Sequence, residues 1–168
     1  MLFQFFGIET SCDDTCVALC TYKKYIFLNK IYKQAYVHTK FKGVVPNIAF
    51  GEHFFGLEHI FYFTVYCKSI FYTKSPGLKG SLFIGIGFSK LIATIFKIPI
   101  YGINHLEGHI LSIFLSYKFF SYPYIALLIS GGHTFIFYVR NFCSYYLLGS
   151  TLDDAAGESL DKVASFLN

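Results

Sequence analysis

"FGIETSCDDTCVAL", residues 6–19, decides the fold. An apolar run ends at Glu9, the small and polar residues Thr10, Ser11, Cys12, Asp13, Asp14 and Thr15 come next, and a second apolar run begins at Cys16. Two short runs of this kind around a turn predict a β-hairpin. A second stretch has the same form: "ALLISGGHTFIFYV", residues 126–139, with Ser130, Gly131, Gly132, His133 and Thr134 at its turn. Small residues at such turns let backbone N–H groups converge on an anion, and hydroxyls add donors. Asp13 and Asp14 would repel a bare phosphate, so the first turn makes sense only with a cation or with a proton to move. Ser-Gly-Gly alone is common in ordinary turns. The chain has no P-loop lysine pattern and no G-x-G-x-x-G after a strand.

Outward from these hairpins, apolar runs predict strands near 2–8, 16–22, 25–32, 98–103, 124–130 and 134–139. "GVVPN" reads as a turn, residues 50–67 as a helix, and "YTKSPGLKGS" as a loop because Pro76, Gly77 and Gly80 break regular structure. An apolar helix is expected from Ser81 to about Phe96. Its Gly85 and Gly87 weaken helix propensity, which points to close packing against another backbone. A further helix starts near 105, and a last one opens at "TLDDAAGE", where Thr151 with Asp154 three residues on is an N-cap signature. The order is mixed α and β, with hairpins leading into helices.

The chain has 168 residues, the size of one ordinary domain, with 54% hydrophobic and 21% aromatic residues to build a core. Its formal charge of +4 permits an anionic partner. A single arginine, Arg140, stands beside thirteen lysines, with 21 Phe, 14 Tyr and no Trp, which fits an AT-rich genome equally well. The N-terminus lacks a basic lead and a long apolar run, so no secretory signal is expected. The longest apolar stretch, residues 81–103, is broken by Lys90 and Lys97. The expectation is a soluble cytoplasmic protein, with no membrane partner and five reduced cysteines acting as small apolar fillers.

"HLEGHI", residues 105–110, carries His105 and His109 at i and i+4, one helical face on which two imidazoles can share a metal. Glu107 lies about 200° around from His105, at about 100° per residue, and so points away. In H-E-x-x-H the glutamate sits beside the ligands; this arrangement disfavours a zinc peptidase. A third ligand would have to come from His38, His53, His133, a carboxylate, or residues outside this chain. In the last stretch, Asp154, Glu158 and Asp161 fall at i, i+4 and i+7; they form either a solvated acidic face favoured by the helix dipole or, at Asp161, an acceptor for ligand hydroxyls.

The order of these stretches is more specific than any one. "GIETSCDDT", "GVVPNIA" followed by His53, "SPGLKGSL", "NHLEGHI", "LLISGGHT" and "LDDAAGESLDKVA" together resemble the tRNA threonylcarbamoyladenosine transferase (TsaD) family, from about Phe6 to the last residue. The resemblance implies an α/β fold of the actin-like ATPase class (sugar kinase, Hsp70, actin; ribonuclease H-like). Residues 1–104 would be the first lobe, and 105–168 the metal-binding helix and the beginning of the second. It implies transfer of a threonylcarbamoyl group from its adenylate to the N6 amine of the adenosine next to the anticodon, in tRNAs reading codons that begin with A. By motif match His105 and His109 are ligands of one divalent metal, iron or zinc. Leu128, Ile129, Ser130, Gly131 and Gly132 form the substrate loop, and Asp161 holds the ligand's sugar hydroxyls. Asp13 or Asp14 would orient the metal-bound ligand or accept a proton. Implied partners are tRNA, threonylcarbamoyl-adenylate, a paralogous scaffold subunit and a small ATPase.

Four departures stand out. Asp14 and Ser75 replace the family's glutamate and glycine, the stretch from His53 to Ser75 is shorter, and family members are about twice as long. Their additional C-terminal half supplies the second lobe, with an aspartate as third metal ligand. The resemblance therefore points to a truncated or split transferase, with an inactive relic or a non-catalytic scaffold partner as the alternative.

Overall fold

A computed structural model describes residues 5–23, 25–41, 43–59, 67–117 and 121–167. The chain divides into two compact units, Met1–His105 and Leu106–Asn168.

In the first unit, β1 (Phe5–Glu9), β2 (Thr15–Cys20) and β3 (Ile26–Tyr32) form an antiparallel meander, while β4 (Ser69–Ser75) and β5 (Ile100–Asn104) run parallel to β1. The sheet order is β3-β2-β1-β4-β5. Alternation along β1 and β2 turns Phe6, Ile8, Val17 and Leu19 to one face, where they are buried with Ile70 of β4. Against that face lie α2 (Pro46–Glu58), through Leu57, and α3 (Lys79–Phe96), through Ile92 and Ala93; a short helix α1 (Ala35–His38) precedes them. Burying each of the larger side chains contributes about 1.5–3 kcal/mol. The link β4–α3–β5 is the helical crossover that parallel neighbours require. By length and apolarity α3 could cross a membrane. Here its stripe Ser81, Gly85, Ser89, Ile92 and Ala93 is buried.

The sequence expectations need correction in this unit. Tyr72–Ser75, expected as loop, completes β4, and α3 starts at Lys79 rather than Ser81, so only Pro76–Leu78 remain between them. The helix expected over 50–67 begins at Pro46 and ends at Glu58; residues 60–66 of that expectation lie outside the described residues. Proline at the first helical turn gives up no hydrogen bond and presets φ, which explains the early start.

The second unit opens with α4 (His105–Leu111), which straddles the boundary, and α5 (Ile113–Ser116). The meander β6 (Tyr124–Ile129), β7 (Thr134–Asn141), β8 (Ser144–Ser150) and the helix α6 (Ala156–Leu167) complete it. Ile110, Leu128 and Val139 are its buried core, with Leu106, Phe135, Phe137 and Tyr145 packed around them. β8 is a strand that the sequence pattern does not announce. The N-cap expected at Thr151 is also corrected: Thr151 Oγ1 donates to Asp154 O at 2.7 Å within the loop. Instead the first amide of α6, Ala156 N–H, donates to Thr134 Oγ1 of β7 at 2.9 Å. Asp154 therefore precedes the helix, and only Glu158 and Asp161 of the expected acidic face are on it.

Candidate functional site

The β1–β2 turn is fixed from several directions. Thr10 Oγ1 donates to Ser81 O at 2.9 Å, Leu78 N–H donates to Ser11 O at 2.7 Å, and Ser81 Oγ donates to Cys12 O at 3.0 Å. The fully buried His53 reaches the turn from α2: its Nε2 lies 3.0 Å from Cys12 O and its Nδ1 2.7 Å from Thr15 Oγ1. A carbonyl only accepts, so Nε2 carries the proton and Nδ1 accepts from the Thr15 hydroxyl. Burial lowers the pKa of His53 below its ordinary 6.5, against the raising influence of Cys12 O and nearby carboxylates, which keeps the ring neutral. Glycines let the elements close on the turn: a Cβ at Gly77 would strike Ser11 O, and one at Gly85 would strike Thr10 Oγ1.

Asp13 and Asp14 lie half-exposed at the tip. Gln34 N–H donates to Asp14 Oδ1 at 3.3 Å. Cys12 and Cys16 are each pushed up to about 12, first by desolvation of the sulfur, then by Asp13 at Cys12 and by Glu9 at Cys16. Both are therefore held as thiols at neutral pH. Cys12 is exposed and Cys16 lies on the sheet face opposite Val17 and Leu19, so they line surface rather than fill the core.

His105 comes directly after β5, which sets its ring near the same turn. Ser11 Oγ lies 3.3 Å from His105 Nδ1, and Glu9 Oε1 lies 3.5 Å from that nitrogen. The Glu9 oxygen also accepts from Ser11 N–H at 2.7 Å. Residue patterns alone do not single out Glu9; its one signal is a carboxylate at the C-terminal end of the first strand. His109 sits one turn further along α4. Two imidazoles one turn apart, one beside a carboxylate, suit a borderline-soft divalent ion. Among the described residues no three His, Cys, Asp or Glu side chains form a group that could hold a metal. His53 is ruled out as third ligand by its two bonds. His38 is likewise engaged: Val45 N–H donates to its Nδ1 at 3.3 Å, and its Nε2 donates to Gln34 Oε1 at 3.2 Å. His133 stacks on Phe135, with ring centroids 5.4 Å apart.

In the second unit, the β6–β7 turn is self-bonded. Ser130 N–H donates to His133 O at 2.8 Å, while Ser130 Oγ accepts from His133 N–H and donates to His133 O, both at 3.1 Å. Gly131 and Gly132 are exposed, with nothing within 4 Å of where a Cβ would stand. Leu128 is buried, so only its backbone could face a ligand, whereas Ile129 is exposed. Gly157, in the first turn of α6, presses on this loop: a Cβ there would lie 2.8 Å from Ser130 C. Asp161 is exposed on α6. The neighbouring Lys162 Nζ pairs with Asp154 Oδ2 at 2.6 Å and Glu158 Oε1 at 3.3 Å.

The family model described as TsaD, tRNA N6-adenosine threonylcarbamoyltransferase, matches residues 25–168. A protein with that description from Syntrophus aciditrophicus is 44% identical over 170 residues, covering 96% of this chain and 50% of its own length. One from Buchnera aphidicola subsp. Schizaphis graminum is 42% identical over 168 residues, with the same coverage. The chain thus spans about half the length of the curated relatives it matches. Among solved structures, YeaZ from Pseudomonas aeruginosa superposes with a TM-score of 0.56 at 13% identity, over 90% of this chain and 67% of that one. At that identity the likeness speaks to the fold alone, which is the α/β actin-like ATPase fold.

Proposed function

The chain belongs to the tRNA N6-adenosine threonylcarbamoyltransferase (TsaD) family, and from that premise we propose that it contributes to threonylcarbamoyl transfer onto the adenosine next to the anticodon. In this reaction the adenosine N6 attacks the carbamoyl carbon of threonylcarbamoyl-adenylate. A C–N bond forms, the bond from that carbon to the phosphate oxygen breaks, AMP leaves, and the amine gives up a proton. The work is acyl transfer by positioning.

His105 and His109 are the residues proposed to hold one divalent metal, iron or zinc. When bound, such an ion supplies a Lewis acid that orients phosphate and acyl oxygens. Glu9 orients the His105 ring. Asp13 or Asp14 orients the metal-bound ligand or accepts the amine proton; Asp14 Oδ1 also accepts from Gln34 N–H. The open backbone of Gly131–Gly132 offers amide donors, and Asp161 accepts from sugar hydroxyls. Ser130 belongs to the same substrate loop, its hydroxyl bonded to the His133 backbone.

The observation that carries this reading is the placement of His105 at the end of β5, against Ser11 and Glu9, in a chain of this family. The protein partners proposed with it are a paralogous scaffold subunit and a small ATPase, in the cytoplasm. The alternative reading is an inactive relic or a non-catalytic member of the same tRNA-modifying assembly.

The test is to mix the chain with the second half of the Syntrophus relative, tRNA, threonylcarbamoyl-adenylate and ferrous or zinc ion, then digest the tRNA and weigh its nucleosides. Threonylcarbamoyladenosine that disappears, together with bound metal, in His105→Ala and His109→Ala supports the transfer reading. Product that persists without metal removes the role given to the histidines. No product from the mixture, while the full-length relative is active, favours the non-catalytic reading.

A further inference from the structure

Between Asp14 and Glu52 the sequence holds six lysines and no acidic residue, so all ten acids of the chain lie outside this run. The run carries six positive charges in a chain whose formal net charge is +4, which leaves the rest net negative. Codon bias toward lysine would scatter the lysines without clearing the acids from the same stretch.

The fold turns the first part of that run into one edge of the sheet, the β2–β3 hairpin tip and the edge strand β3. The α1 segment follows, with Gln34 N–H bonded to the Asp14 carboxylate. Lys23 at the tip, Lys30 on β3, Lys33 just past it and Lys40 beyond α1 are all exposed. Aromatic rings are interleaved with them: Tyr22 is 73%, Tyr25 62% and Tyr36 68% exposed. Tyr25 meets Phe27 edge-on with centroids 4.6 Å apart, and Tyr22 meets Phe5 in the same way, so the rings at the tip are already ordered. Glu52, the acid that ends the run, accepts a hydrogen bond from Tyr32 at 3.1 Å.

Lys30 on β3 and Lys23 and Lys33 beyond its two ends mark out some 20 Å of edge, at about 3.3 Å per residue, that a phosphate backbone can follow, and the Tyr25 and Phe27 rings, on the face of β3 opposite Lys30, offer unpaired bases a stacking surface beside it. We propose that the β2–β3 hairpin and the α1 segment form an RNA-docking edge that takes an unpaired stretch of the tRNA. The proposal rests on the family's tRNA substrate and names a surface for it on this chain.

The test is fluorescence anisotropy of a labelled tRNA anticodon stem-loop with the whole chain, over a salt series. Each released phosphate contact changes the slope of log K against log salt by about 0.7 on a single strand. Lys23→Glu/Lys30→Glu/Lys33→Glu is expected to weaken binding by at least about tenfold at low salt and flatten the slope by about 2. Tyr25→Ala/Tyr36→Ala should weaken binding at unchanged slope. Lys79→Glu/Lys90→Glu/Lys97→Glu, an equal charge change on α3 and its C-terminal cap, should weaken it less than about threefold. Equal losses in both lysine triples, or affinity unchanged by the first, overturn the docking edge. So does wild-type chain that binds no RNA; the transfer proposal is then still decided by its own nucleoside assay.

Discussion

The hydroxyl of Tyr145 donates to Glu107 Oε1 at 2.9 Å, so the carboxylate between the two histidines of α4 is tied to β8. Burial, then the hydrogen bond to Glu107 and its charge, hold the Tyr145 phenol above its usual range, which keeps it a donor. Glu107→Gln retains an acceptor for that hydroxyl. We expect transfer within about threefold of wild type in the reconstituted assay, because loss of a true general base costs about 10²–10⁴. A loss of that larger size, with the fold intact by circular dichroism, would make Glu107 a base after all.

His53 ties the first turn to α2. His53→Ala removes one donor from Cys12 O, strands the Thr15 hydroxyl and opens a cavity, for an expected destabilisation of about 2–4 kcal/mol in urea unfolding. An unchanged urea midpoint would refute this.

The same ring makes stability depend on pH. Its folded pKa lies below the ordinary 6.5, so the unfolded chain takes up the proton first as pH falls. Stability is full above the unfolded pKa and declines as pH drops through about 6.5 toward the folded value. The wild-type urea midpoint should fall from about pH 7.5 to about pH 5, and His53→Gln should fall less.

Two glycines of α3 make a matched pair. A Cβ at Gly85 strikes Thr10 Oγ1, whereas one at Gly87 meets nothing within 4 Å. Gly85→Ala is expected to destabilise by about 1–3 kcal/mol, by displacing Thr10 from its bond to Ser81. Gly87→Ala should stabilise by up to about 1 kcal/mol through helix propensity alone. Equal effects in thermal unfolding would contradict the contact geometry.

Glu9 bridges Ser11 N–H and the His105 ring. A carboxylate behind a metal-binding imidazole typically adds 10–100-fold to affinity. Glu9→Gln should weaken zinc binding to the reconstituted enzyme by about that factor, measured calorimetrically. Glu9→Asp should restore part of it. Equal zinc affinity in wild type and Glu9→Gln would leave Glu9 a role in the turn only.

The hairpins around Thr10–Thr15 and Ser130–His133 are legible in the sequence because turn chemistry and alternation are local. β4 is not: its apolar part, Ile70–Tyr72, is short, its end Thr73–Lys74–Ser75 is polar, and its partners β1 and β5 are remote in sequence. The cap of α6 comes from Thr134, 22 residues away, so Thr151 is the natural but wrong local choice. His53 and Glu9 are visible as residues, but only the fold brings them to Cys12, Thr15 and His105. Of the two α3 glycines expected to be packing sites, Gly85 is one, against a side chain, and Gly87 is not.

The glycines also map where this sequence is free to drift. Gly77, Gly85 and Gly157 are held by sterics, since any side chain there collides with a neighbour. Packing gives Gly131 and Gly132 no such protection. Their fate in closely related lineages is therefore a gauge of use: if selection preserves them, it acts through what the loop touches rather than through the fold, and in a decaying lineage they should be among the first glycines lost.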